Sequence, residues 1–133
     1  MASERVEWLH RQVGLYNAGD LEGFLDALPP GFTFTPDPSF PDADAYGGDD
    51  LRMWMGEWAR MWEESRLEIL ETTELGSTMI AKARWHLTSA ATGPRILDND
   101  FSLVIWFDDD RPRRAAAFFD EDRAREAAKA GTG

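Results

Sequence analysis

The chain has 133 residues, no cysteine, 14 basic and 25 acidic side chains, and a formal net charge of −11. This length suits a single domain over 1–133 that buries a core without covalent staples, and the absence of cysteine excludes disulfides, a thiol nucleophile and a cysteine zinc site. The acidic balance argues against nucleic acid or an anionic membrane as partner, because their phosphates would repel it.

Ser3 to about Ala18 reads as a helix, with Val6, Leu9, Val13 and Tyr16 at helical spacing, Ser3 as its cap and Gly19 as its stop. Asp20 caps a second short helix, Leu21 to Leu28, which Pro29-Pro30-Gly31 ends. Phe32 to Thr35 is a short strand. Pro36 to Asp50, with Pro36, Pro38, Pro41, Gly47 and Gly48, reads as a loop. Asp49 or Asp50 caps the strongest helix, which runs to about Ser65 and gathers Leu51, Trp54, Met55, Trp58, Met61 and Trp62 on one broad apolar face. From Arg66 the period changes to two, with strands expected over 66–74, 78–89, 95–107 and 112–119. Their turns are Gly76-Ser77, Thr92-Gly93-Pro94 and Asp108-Asp109-Asp110, and a last helix runs from Arg123 to Ala130.

Helices gather first and strands follow, so the fold class is α+β in the order α-α-β-α-β-β-β-β-α. A long antiparallel sheet with one covered face must curl around the helices into a cone. The apolar run Leu103 to Phe107 is far short of the ~20 residues that span a bilayer. The N-terminal residues mix charged and apolar side chains unlike a signal peptide, so a cytoplasmic location is expected.

Several local features, taken in order, resemble the nuclear transport factor 2-like superfamily and within it the SnoaL-like polyketide cyclase branch. They are Tyr16-Asn17-Ala18-Gly19-Asp20-Leu21, Tyr46-Gly47-Gly48-Asp49-Asp50-Leu51, the hairpin Phe107 to Arg111, and Phe118-Phe119-Asp120 running into Arg123 to Ala128. The resemblance implies a cystatin-like cone whose sheet wraps an apolar pocket, and frequent homodimers through the outer sheet face. Val104 and Trp106 lie on that outer face and are otherwise unexplained in a monomer. The fold does not fix the activity, because it hosts isomerases, cyclases, hydrolases and non-catalytic domains.

Strand alternation assigns sides to the candidate residues. Met79, Ala81, Ala83, Trp85 and Leu87 form the apolar set of their strand, so His86 points away from the pocket. Ala116, Phe118 and Asp120 share a face, and Phe118 suggests that this face is inward. Asp120 there resembles the catalytic aspartate position of the SnoaL-like cyclases, and an apolar pocket would raise its pKa toward proton transfer. Its structural alternative is a cap for the last helix. Asp37, between Pro36 and Pro38, resembles the general base of the ketosteroid isomerases, against a turn aspartate in solvent as the plain alternative. His10 lies close to the apolar stripe of the first helix and could reach the pocket mouth.

The isomerase resemblance lapses where its oxyanion donors would stand, at Leu103 and Gln12. An epoxide-hydrolase arrangement from Asp100, Asp120 and Arg84 or Arg95 lacks a clear inward phase. The two histidines are too far apart for a paired metal motif, and the Asp42–Met53 segment departs from a calcium loop at Tyr46 and Met53. No metal and no cofactor is therefore expected. Tyr16, Tyr46, Trp54 and Trp58 are expected as pocket walls from the helical side, with Trp85, Phe101, Leu103 and Phe118 from the strands and Trp62 as pure core. The expected function is binding of a small apolar molecule, with cofactor-free acid/base chemistry of isomerase or cyclase type as its extension. The alternative is a non-catalytic dimeric module whose pocket is filled by side chains.

Overall fold

A computed structural model describes residues 3–40, 44–89 and 95–130. Asp42 and the Thr92-Gly93-Pro94 turn lie outside the described residues. The elements are α1 (Glu4–Asn17), α2 (Leu21–Asp26), β1 (Thr33–Thr35), β2 (Tyr46–Gly47), α3 (Gly48–Met61), β3 (Trp62–Leu75), β4 (Thr78–Ser89), β5 (Arg95–Asp108), β6 (Arg111–Phe118) and α4 (Glu121–Ala130).

The helix ends follow from local chemistry. The Ser3 side chain accepts from Val6 N–H to start α1, and Asp20 does the same for α2 through Gly23 N–H. Between them Gly19 takes φ +76, a left-handed conformation that suits glycine. α3 departs from expectation at both ends. Its N-cap is Gly47, which offers no side-chain bond, and Asp49 and Asp50 sit in the first turn, where they oppose the positive end of the helix dipole. It stops at Met61, and the chain enters β3 without an intervening loop, because Trp62 to Ser65 pair with β4 instead.

The sheet is six-stranded in the order β2-β1-β6-β5-β4-β3. β3 to β6 form an antiparallel meander, while β1 runs parallel to β6. β2, which falls inside the expected loop, pairs with β1 at one edge. Register shifts between Ile69 and Glu71 and between Trp106 and Phe107 bend the long strands. Such bulges add local twist, and the sheet curves around α1 and α3 without closing. This is the expected α+β cone.

The concave core joins Leu9, Leu51, Met79, Ala81, Ile105 and Phe107. Burying each large member contributes about 1.5–3 kcal/mol. Arg5 covers one end of this core: its guanidinium donates to the carbonyls of Asp109 (2.6 Å) and Gly76 (2.6 Å) and lies 4.9 Å from the centre of the Phe107 ring. It thereby ties α1 to the β3–β4 turn and to the acidic β5–β6 turn.

α4 packs on the convex side, where Ala124 and Ala128 meet Ile80, Val104, Trp106 and Ala116. Two expectations change here. Val104 and Trp106 are 0% and 4% exposed within the single chain, so α4 accounts for them and they call for no partner. Phe118 packs with this convex cluster rather than facing the pocket; Ala115 and Ala117 are the residues of β6 that join the concave clusters. No helix among the described residues is long and apolar enough to cross a membrane.

Candidate functional site

Between α1, α3 and the concave sheet lies an apolar cavity of about 110 Å³. α1 brings Trp8, Leu9, Gln12, Val13 and Tyr16 to it, because these positions recur every three or four residues on one helix face. α3 brings Leu51, Trp54, Met55 and Trp58 by the same spacing. The strands contribute Phe34, Trp85, Phe101, Leu103, Ile105 and Ala115. Six of the expected wall residues thus line the cavity: Tyr16, Trp54, Trp58, Trp85, Phe101 and Leu103. Tyr46 is one layer back and stacks on Trp54 at 5.8 Å. Phe118 is on the convex side, as described above.

The walls are an aromatic stack. Trp54 lies 5.9 Å from Trp58 at an interplanar angle of 12°, Trp58 lies 4.9 Å from Trp85, and Trp85 lies 4.6 Å from Phe101. Offset stacking of this kind holds each ring by its neighbours. The stacked rings brace one another and still leave a void beside them.

One polar cluster touches this wall. The Trp58 and Trp85 indole N–H groups each donate to the Tyr16 hydroxyl oxygen at 3.2 Å. The Tyr16 hydroxyl is in turn hydrogen-bonded to the Ser65 hydroxyl. Gln12, only 3% exposed, donates from Nε2 to the Phe24 carbonyl and so ties α1 to α2. Ser65 was not legible as a site residue, since it sits in the stretch read as the end of a helix. On the far side of Tyr16 and Trp58 is a second cavity of about 180 Å³, which Trp62 and Ser65 also line. Trp62 is accordingly a cavity wall and not pure core, because the early end of α3 turns it into the first residue of β3.

The three expected acid/base residues do not converge on the cavity. Asp120 is exposed, and its Oδ1 accepts from Asp122 N–H at 2.9 Å and Arg123 N–H at 3.4 Å, so it caps α4. The β6 register that turns Phe118 outward carries Asp120 with it. His10 is exposed on the α1 face opposite the cavity-lining residues.

Asp37 is buried, 7% exposed, but away from both cavities. Its Oδ1 accepts from Phe119 N–H at 2.7 Å and its Oδ2 from Ser39 N–H at 2.8 Å. Burial pushes this carboxyl up, yet the hydrogen bonds from Ser39 and Phe119 and the nearby Arg123 outweigh it, and the group is held below its ordinary 3.8. It is a clasp between the segment after β1 and the β6–α4 junction. It also positions Phe40, whose ring lies 5.8 Å from Phe119 and 6.2 Å from Trp58.

The remaining polar candidates lie on the convex face. His86 Nε2 is 2.9 Å from Glu68 Oε1, and Arg84 pairs with Asp100 at 2.6 Å. Asp100 and Arg84 therefore satisfy each other there, away from Asp120; the side chain of Arg95 lies outside the described residues.

A sheet curled around a helix-covered apolar cavity places the chain in the nuclear transport factor 2-like class of α+β proteins. Within that class it belongs to the SnoaL-like domain family, whose model matches residues 9–115. An NTF2-like protein of unknown function from Burkholderia pseudomallei superposes with a TM-score of 0.77 at 20% identity, covering 99% of this chain and 100% of its own. TerC, co-crystallized with polyporic acid, gives 0.76 at 17% identity over 96% of this chain and 99% of its own. PrhC from Penicillium brasilianum gives 0.75 at 18% identity over 96% and 90%. At such identities the likeness is one of fold. No curated protein matches the chain in sequence.

Proposed function

We propose that this protein binds a small, uncharged, apolar molecule in the inner cavity, without a cofactor. The observation that carries this reading is a void whose accessible lining is wholly apolar. Its volume of about 110 Å³ is of the order of the ~150 Å³ apolar cavity that stays dry and takes benzene in another protein. A structural relative crystallised with polyporic acid supports ligand binding as a use of this fold.

The reading stops at binding rather than catalysis. Proton transfer requires an acid or base within hydrogen-bond reach of the ligand, and Asp120, Asp37 and His10 all lie outside the cavity. The homodimer belongs to the same proposal, through the part of the convex face that α4 leaves uncovered. A single monomeric species in sedimentation at micromolar concentration would remove it.

The binding test is a titration of ¹⁵N-labelled protein with benzene. Saturable shifts of the Trp54 and Trp85 indole N–H resonances are expected, because both rings line the inner cavity. No saturable shift at either resonance refutes the reading.

A further inference from the structure

The outer cavity carries a separate message. It opens between the α1–α2 junction, the second half of α3 and the start of β3, and is lined by Tyr16, Gly19, Met55, Trp58, Trp62 and Ser65. Tyr16, Met55 and Trp58 also line the inner cavity, so they form a partition between the two. The inner side of that partition presents only apolar surface, whereas the outer side presents polar surface as well.

A proton inventory orients the polar groups. An indole N–H can only donate. Trp58 and Trp85 both donate to the Tyr16 oxygen, at 3.2 Å each. These two bonds occupy the lone pairs of that oxygen, so the Tyr16 proton must go to its remaining neighbour, the Ser65 oxygen. Ser65 is thus an acceptor toward Tyr16, and its own proton is left over. Among the described residues no other group is hydrogen-bonded to the Ser65 hydroxyl. The chain of bonds runs from the indoles through Tyr16 to Ser65, and each member polarises the next.

We propose that the outer cavity is a second binding site, in which the Ser65 hydroxyl donates to the carbonyl oxygen of a neutral, mainly apolar molecule. Trp62 and Met55 provide the apolar floor. Among the described residues no cationic side chain lines the cavity, so a carboxylate there would lose its hydration without compensation. The site goes beyond the inner-cavity reading and does not require that cavity to be filled.

Acetophenone and α-methylstyrene test the site, since they share a shape and differ only in a carbonyl against a methylidene group. Trp62 lines the outer cavity alone, while Trp54 and Trp85 line the inner one alone, so their indole N–H resonances report which cavity is occupied. Acetophenone is expected to shift the Trp62 resonance and to bind there about tenfold more tightly than α-methylstyrene, the worth of one hydrogen bond. Ser65→Ala should bring that ratio near one, and Ser65→Thr, which keeps the hydroxyl and suits a strand, should preserve it.

Equal affinities in the unaltered protein overturn the proposal. So does a ratio that survives Ser65→Ala, or a response at Trp54 and Trp85 without one at Trp62. Failure of benzene to move Trp54 and Trp85 would refute the inner-cavity reading separately.

Discussion

The two faces of β4 and β5 bury their side chains in opposite ways. On the concave side Trp85, Phe101, Leu103, Ile105 and Phe107, set around the smaller Ala81 and Ala83, face the tryptophans and leucines of α1 and α3, and a void is left. On the convex side Ile80, Val104 and Trp106 meet the small Ala124 and Ala128 of α4 beside Ala116 and Phe118 of β6, and the Arg114 guanidinium lies 4.0 Å from the centre of the Trp106 ring. Elsewhere on this face β4 forms polar pairs with its neighbours, Arg84 with Asp100 of β5 and His86 with Glu68 of β3. Small side chains let a helix approach closely and seal a face. Bulky rings jam before they close, and the residual gap is the candidate site.

This comparison can be broken by substitution, from the largest expected effect downward. Phe107→Ala empties a fully buried position that does not line the void but packs against Trp8, which does. It should cost about 3–5 kcal/mol in a urea unfolding experiment; a small loss would mean that the end of the core beneath Arg5 is loosely packed. Ala124→Leu should destabilise by about 1–3 kcal/mol, because Ala124 is 0% exposed on the side of α4 that packs against the sheet, and the sealed face has no room. A neutral result would show that the convex face is as forgiving as the concave one.

Asp37→Asn sharpens the picture where the two faces meet. Replacing one oxygen by an NH₂ removes an acceptor and should cost about 1 kcal/mol at neutral pH. The folded-state pKa of Asp37 lies below its ordinary 3.8, so its contribution is present above that pH and fades as pH falls through and below it. Thermal unfolding of the two proteins should therefore converge below about pH 4. A gap that stays constant into acid would mean that the charge is not involved. The smallest effect is expected for Ala115→Ile, at a β6 position that lines the void. Filling a cavity should leave stability unchanged or raise it by about 0.5–2 kcal/mol, while abolishing benzene binding. A destabilisation as large as that of Ala124→Leu would erase the contrast between the faces.

Much of the fold is legible along the chain. Ser3 and Asp20 announce the starts of α1 and α2 because a cap acts on N–H groups only two or three residues away. The sides of β4 and β5 follow from alternation, since neighbouring side chains must point to opposite faces. The same reasoning misleads at Phe118. In β6 the inward residues Ala115 and Ala117 are small and the outward Phe118 is large, so size points the wrong way and takes Asp120 with it. Asp37 is unreadable for a different reason. Its partner Phe119 is 82 positions away in the chain, so nothing near Asp37 signals that it is buried.

Net charge, helical and strand periodicity, and the acidic caps and turns belong to the chain as written. They act through neighbours a few residues apart, and so they survive without a fold. The tryptophan row announces a large apolar face by the same local logic. Whether that face encloses space or fills it depends on how closely α1, α3 and the curved sheet can approach one another. Hydrophobic burial is non-directional and gives no preference between a sealed contact and a gap. The shapes of rings brought together from distant parts of the chain settled that question, leaving one apolar void behind the Tyr16–Trp58 partition and a more polar one in front of it.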